Sequence, residues 1–206
     1  MNSQNQIQDD LSHIRSMMEK SSRFISLSGL SGVFAGITAL VAAGYVYLLL
    51  RNNQINYFEG KGNVYSPELI NHIILVGLVA LIVAVGFGYF FTANKSKKKG
   101  AKMWDATSKR LLTNFGIPLL AGGVFCLALI YHGLIVFLAP VTLIFYGLAL
   151  VNAAKFTFTD VEYLGYLEIA LGLISLFFLG LGLLFWIIGF GVLHIIYGLV
   201  MHKKYK

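Results

Sequence analysis

The stretch Tyr163–Met201 reads YLGYLEIALGLISLFFLGLGLLFWIIGFGVLHIIYGLVM. Two apolar runs, 163–179 and 183–201, are separated only by Gly180-Leu181-Gly182. Each approaches the roughly 20 residues a helix needs to cross the hydrocarbon core of a bilayer. A connection this short folds them into an antiparallel helical hairpin. Neither run shows the alternation of apolar and polar residues that a barrel strand requires.

Working outward, four more runs of the same kind occur at 24–50, 69–91, 111–131 and 134–151, the last two joined by His132-Gly133 alone. The sequence therefore predicts an all-α, polytopic membrane bundle of six transmembrane helices, with residues 24–206 as one domain. Composition points the same way. Of 206 residues, 57% are hydrophobic and 12% charged, against about 25% charged in a soluble domain. A chain this small cannot hide that much apolar surface within itself, so the excess is expected to face lipid.

Charge sets the expected orientation. Fourteen of the 16 Lys and Arg fall in the N-terminal arm, the loop after the second run, the segment around Lys155 and the C-terminal tail. Only Arg51 and Lys61 lie in the first loop. By the positive-inside rule both termini are expected to be cytoplasmic. The cluster that includes Lys95, Lys97, Lys98 and Lys99 then meets anionic lipid headgroups, which accounts for the net charge of +7 without a nucleic-acid partner. In the arm, residues 1–23, Ile7, Leu11, Ile14 and Met18 recur at helical spacing, the pattern of an amphipathic helix lying in the interface. With 23 residues ahead of it and 27 of its own, the first run reads as an uncleaved anchor.

Cys126 is the single cysteine, so an intrachain disulfide is excluded. No HExxH, Walker loop or GxSxG motif occurs, and neither enzymatic chemistry nor a cofactor is expected from motifs of that kind. His72 and His132 fall at run ends, where solvated histidine is common.

Only two ionisable residues lie well inside a run, Glu168 and His194. Intramembrane ionisable groups are costly and usually face the bundle interior. Each stands 13 residues from Leu181, the middle of the turn, so an antiparallel hairpin brings them to one depth. Glu168 has Gly165 and Gly172 at −3 and +4, and His194 has Gly191 and Gly198 at the same offsets. Those offsets place each polar residue on a glycine-bearing face, and small residues allow close helix approach in membranes. The expected arrangement is a tight fifth–sixth interface with a Glu–His contact between glycine rungs.

Two readings of the pair stay open: a site that binds or relays a proton, cation or amine, and an interhelical hydrogen bond of purely structural value. Tyr163, Tyr166 and Tyr197 are expected to supply hydroxyls around the same place, or to anchor at the interface. Ser28, Gly32 and Gly36 form a small-xxx-small ladder in the first run, suited to packing within the bundle or to a homo-oligomer face. A 51-residue offset aligns Tyr146-Gly147-Leu148 with Tyr197-Gly198-Leu199, as a parallel repeat would.

The segments IRSMMEKSSRFISLSGLSG (Ile14–Gly32), LIFYGLALVNAAKFT (Leu143–Thr157) and YLGYLEIALGL (Tyr163–Leu173) resemble a family of uncharacterised bacterial integral membrane proteins. The resemblance implies a six-span protein of a bacterial inner membrane and carries no activity, ligand or residue role. Two functional expectations follow from the sequence as a whole. One is a small transporter or ligand sensor with a polar intramembrane site; the other is a non-catalytic scaffold or accessory subunit acting through helix contacts.

Overall fold

The computed structural model describes residues 28–55, 65–98, 100 and 104–205. The expected interfacial helix of the arm, residues 1–23, lies outside the described residues, as does Lys99. Among the described residues every regular element is helical. Helix α1 spans Gly29–Asn52, α2 Pro67–Lys98, α3 Ala106–Tyr131, α4 Leu138–Ala154 and α5 Asp160–Ser175. The final rod changes character along its length: α6 covers Gly182–Trp186, a π-helical segment Ile187–Leu193, and α7 His194–Lys204. Five stretches are long and apolar enough to cross a membrane. The remaining expected span, α5, has 16 helical residues.

Local chemistry sets the helix ends. Ser66 caps α2 by accepting from the Leu69 amide at 3.2 Å, and Pro67 follows at the first helical position, where its missing N–H costs nothing. The Asp105 carboxylate caps α3 through the Ser108 amide (2.7 Å) and hydroxyl (2.6 Å). These Ser108 contacts hold the Asp105 carboxyl below its ordinary range. Just beyond the end of α3 comes Gly133, whose φ of +71° lets the Leu134 amide reach back to the Leu129 carbonyl at 2.8 Å. That reversal starts the antiparallel α3–α4 pair.

Several helices run further than hydropathy alone predicts. Helix α2 does not stop at Phe91 but continues through Thr92 to Lys98, because lysine is a good helix former and cations suit a helix C-terminus. Lys95, Lys97 and Lys98 therefore occupy its last turn. Helix α3 begins at Ala106 and takes in Lys109 and Arg110.

Packing departs from the expected hairpin. Helix α5 lies chiefly on α4, while α1 lies between α2 on one side and α7 with the π segment on the other. The glycines explain both choices. A Cβ on Gly147 would stand 2.6 Å from the Gly165 carbonyl oxygen, and one on Gly172 2.9 Å from that of Pro140. On the other side, Gly36 faces the Gly191 carbonyl (2.7 Å), and Gly32 faces the Cα of Gly198 (3.2 Å). The expected glycine rungs between the fifth and sixth spans are thus replaced by two separate seams, α4–α5 and α1–α7. The Ser28–Gly32–Gly36 ladder packs within the chain, with Ser28 and Gly36 buried and Gly32 and Gly36 against the last rod.

At the end of the bundle where α5 begins and α7 finishes, Leu150, Ala154, Val161, Leu164 and Met201 form a buried cluster. A polar clasp closes it. Lys204 bonds both carboxylate oxygens of Asp160 at 3.0 Å, the Tyr205 hydroxyl donates to the same carboxylate, and Lys95 donates to the Tyr205 carbonyl at 2.9 Å. The Tyr205 ring stacks on Phe158, 3.9 Å between centroids.

Candidate functional site

Besides the clasp at Asp160, the two seams leave a buried place where the halves meet through polar side chains. Glu168 reaches it from α5 and is fully buried. His194 reaches it from the first turn of α7 and is 6% exposed. Their side chains meet, with His194 Nδ1 3.4 Å from Glu168 Oε1. The equal count from Leu181 thus gives the correct depth, although the glycines on which the facing argument also leaned turn elsewhere.

The imidazole is held at both nitrogens. Nδ1 lies 3.0 Å from the Gly189 carbonyl and Nε2 lies 2.8 Å from the Tyr146 hydroxyl on α4. A carbonyl oxygen only accepts, so Nδ1 carries a hydrogen; in the neutral ring Nε2 then accepts from Tyr146. The π segment makes the first contact. His72, within regular α2, reaches the carbonyl four residues back, that of Glu68, at 2.8 Å. His194, following the wider π turns, reaches five residues back. π turns are uncommon and often mark functional positions.

Glu168 has no such company. Both carboxylate oxygens are buried without a hydrogen-bond partner. Its surroundings are tight: a Cβ on Gly189 would come within 2.4 Å of Oε2 and within 2.5 Å of Leu143 Cδ2. Glycine at 189 is what gives the carboxylate its room. A charge buried without a partner costs several kcal/mol, so this position calls for one compensating positive charge.

Tyr146 and Gly189 belong to the site but are not singled out by sequence reasoning. The 51-residue repeat touched Tyr146 without assigning it a role. The three tyrosines that are singled out lie apart from the carboxylate. Tyr163 and Tyr166 are 62% and 49% exposed, and Tyr166 donates to Glu162 at 2.6 Å. Tyr166 precedes Glu168 by two residues, roughly 200° round an α-helix at 100° per residue. Tyr197 packs on the cluster at the Asp160 end. Among the described residues, no three His, Cys, Asp or Glu come together as metal ligands.

Comparison with protein families, with curated proteins and with solved structures finds no match to this chain. The site's chemistry has to speak for itself. The bacterial resemblance of the quoted segments accordingly adds no ligand or residue role to this geometry.

Proposed function

We propose that this protein is a polytopic membrane protein of six spans, with both termini cytoplasmic, that binds one positive charge at Glu168 and acts as a small transporter or ligand sensor. The observation that carries the reading is the Glu168 carboxyl, buried with both oxygens unpaired and with an imidazole 3.4 Å away. Intramembrane acids facing a bundle interior are expensive, and a proton, small cation or amine offsets that cost.

The spanning topology is supported by five long apolar helices and by the strong bias of Lys and Arg toward one side. Helix α5 is the short span, and the turn after it extends its reach. Lys97 and Lys98 are exposed at the end of α2 and suit anionic headgroups on the cytoplasmic face, whereas Lys95 is engaged by Tyr205. A bacterial inner membrane is the location that the sequence resemblance implies.

The scaffold reading draws on α2, whose most apolar window buries no residue within the chain. One experiment separates the two. Glu168→Gln keeps volume and removes the charge-binding group. Purified Glu168→Gln in lipid nanodiscs should fold but lack the part of the pH or cation dependence of thermal stability that Glu168 contributes in the wild type. Identical dependence in both proteins favours the scaffold.

A further inference from the structure

Resting on the reading of Glu168 as a charge-binding group, we infer that its ligand is a proton, and that this proton works a switch in which the Nδ1–H of His194 passes between the Gly189 carbonyl and the Glu168 carboxylate.

Space and ligands select the proton. The Glu168 carboxylate is fully buried, pressed against the backbone of Gly189 and close to Leu143, itself 0% exposed. A hard metal ion takes about six oxygen ligands, and among the described residues no third acid, histidine or cysteine joins Glu168 and His194. An organic amine needs a cavity several atoms wide beside the carboxylate, where Gly189 stands instead. A proton needs neither.

The imidazole supplies the moving part. Its Nδ1 sits between two acceptors, 3.0 Å from Gly189 and 3.4 Å from Glu168. With Glu168 as the neutral acid, the N–H serves the carbonyl, which is the arrangement observed. On release, the carboxyl O–H bond breaks, its electron pair stays on the oxygen, and the proton leaves to water. The carboxylate is then the stronger acceptor, and the N–H turns to Oε1. His194 stays neutral throughout and keeps the Tyr146 hydroxyl on Nε2, so one proton is exchanged and no other group changes state.

The facing elements offer no competing charge. Helix α4 contributes Tyr146 as its only titratable side chain, α7 contributes His194 at this depth, and α6 and the π segment contribute none. The consequence is delivered to the π segment. When His194 turns away, the Gly189 carbonyl loses its side-chain partner within a segment that also carries the α1 contact, Gly191 against Gly36 and Leu40. The protonation state of Glu168 is thereby read out at the packing of α1.

The test uses the full-length protein in nanodiscs. Infrared difference spectra follow the carbonyl band of the protonated carboxylic acid, assigned by its loss in Glu168→Gln. Magnetic resonance of isotope-labelled histidine follows His194 Nδ1–H, assigned with His194→Gln. As pH rises, the acid band should disappear and the Nδ1–H resonance should move downfield with the same midpoint. In Glu168→Gln the resonance should stay fixed. Sodium, potassium or methylammonium chloride at constant ionic strength should leave the midpoint where it is. A midpoint that moves with one of these cations overturns the proton as ligand while the charge-binding reading stands. A carboxyl that titrates beside an unmoved Nδ1–H overturns the switch. A carboxyl that neither titrates nor responds to any cation overturns the charge-binding reading as well. Carboxyl-labelled glutamate in the wild type gives the same titration if the variants fail to fold.

Discussion

Gly29 and Gly198 meet backbone to backbone: a methyl group on Gly29 would stand 2.5 Å from the carbonyl oxygen of Gly198, and one on Gly198 2.7 Å from that of Gly29. Both contacts are with main chain, which cannot swing aside as a side chain can. Gly198→Ala must therefore part α1 from α7, and overpacking of this kind costs about 1–3 kcal/mol. Gly86, in the interior of α2, has nothing within 4 Å of its missing Cβ, so Gly86→Ala should be neutral or slightly stabilising. Thermal unfolding of the two variants side by side checks the seam. Equal stability would refute it.

The reversal between α3 and α4 makes a different demand on glycine. Gly133 also has open space around it, but its φ is +71°. Alanine there carries only the conformational penalty of the left-handed region, roughly 1–2 kcal/mol. Gly133→Asn should lose less than Gly133→Ala, since asparagine visits that region more readily. The order of the two melting temperatures is the measurement.

The clasp at the Asp160 end should respond to acid. Burial pushes the Asp160 carboxyl up, but the Tyr205 hydroxyl and Lys204 ammonium outweigh it and hold the group below its ordinary value. A carboxyl whose folded value is depressed contributes stability that is fully present above the unfolded value, about 3.9, and is lost as pH falls through the folded value. Asp160→Asn should lower the melting temperature at neutral pH and flatten this part of the acid limb. Lys204 is largely exposed, so the ion pair itself contributes little to stability and should weaken in high salt.

These contrasts mark what the sequence makes legible. The depth of Glu168 and His194 follows from counting away from Leu181, because a short connection between Ser175 and Gly182 leaves an antiparallel hairpin little freedom. The faces do not follow. An α period of 3.6 is the wrong ruler across Ile187–Leu193, where the helix widens to π turns. Nor does a glycine's sequence position say which helix will meet it: Gly165 and Gly172 pair with α4, and Gly191 and Gly198 with α1. Helix α2 outruns its apolar stretch because hydropathy registers where lysines begin, whereas helix propensity continues through them.

Tyr146 is the residue that a sequence reading passes over, since a tyrosine within an apolar run reads as packing. Its ring does pack, 4.9 Å from Phe190 and 6.0 Å from Phe115 between centroids, and Tyr146→Phe preserves that. What the substitution removes is the hydroxyl that donates to His194 Nε2 at 2.8 Å. Interhelical hydrogen bonds in membrane proteins are worth about 0.6–1.7 kcal/mol, so the loss of stability should fall in that range. The more telling change is in the ring. Without a donor at Nε2, nothing on α4 holds the hydrogen on Nδ1, and Nε2–H becomes accessible. Isotope-labelled histidine should then report a mixture of tautomers at His194 in Tyr146→Phe, against a single Nδ1–H form in the wild type at the same pH. Glu168→Gln, which leaves Tyr146 in place, should retain the single form. A single unchanged tautomer in Tyr146→Phe would mean that the Gly189 carbonyl alone fixes the ring and that Tyr146 is packing after all.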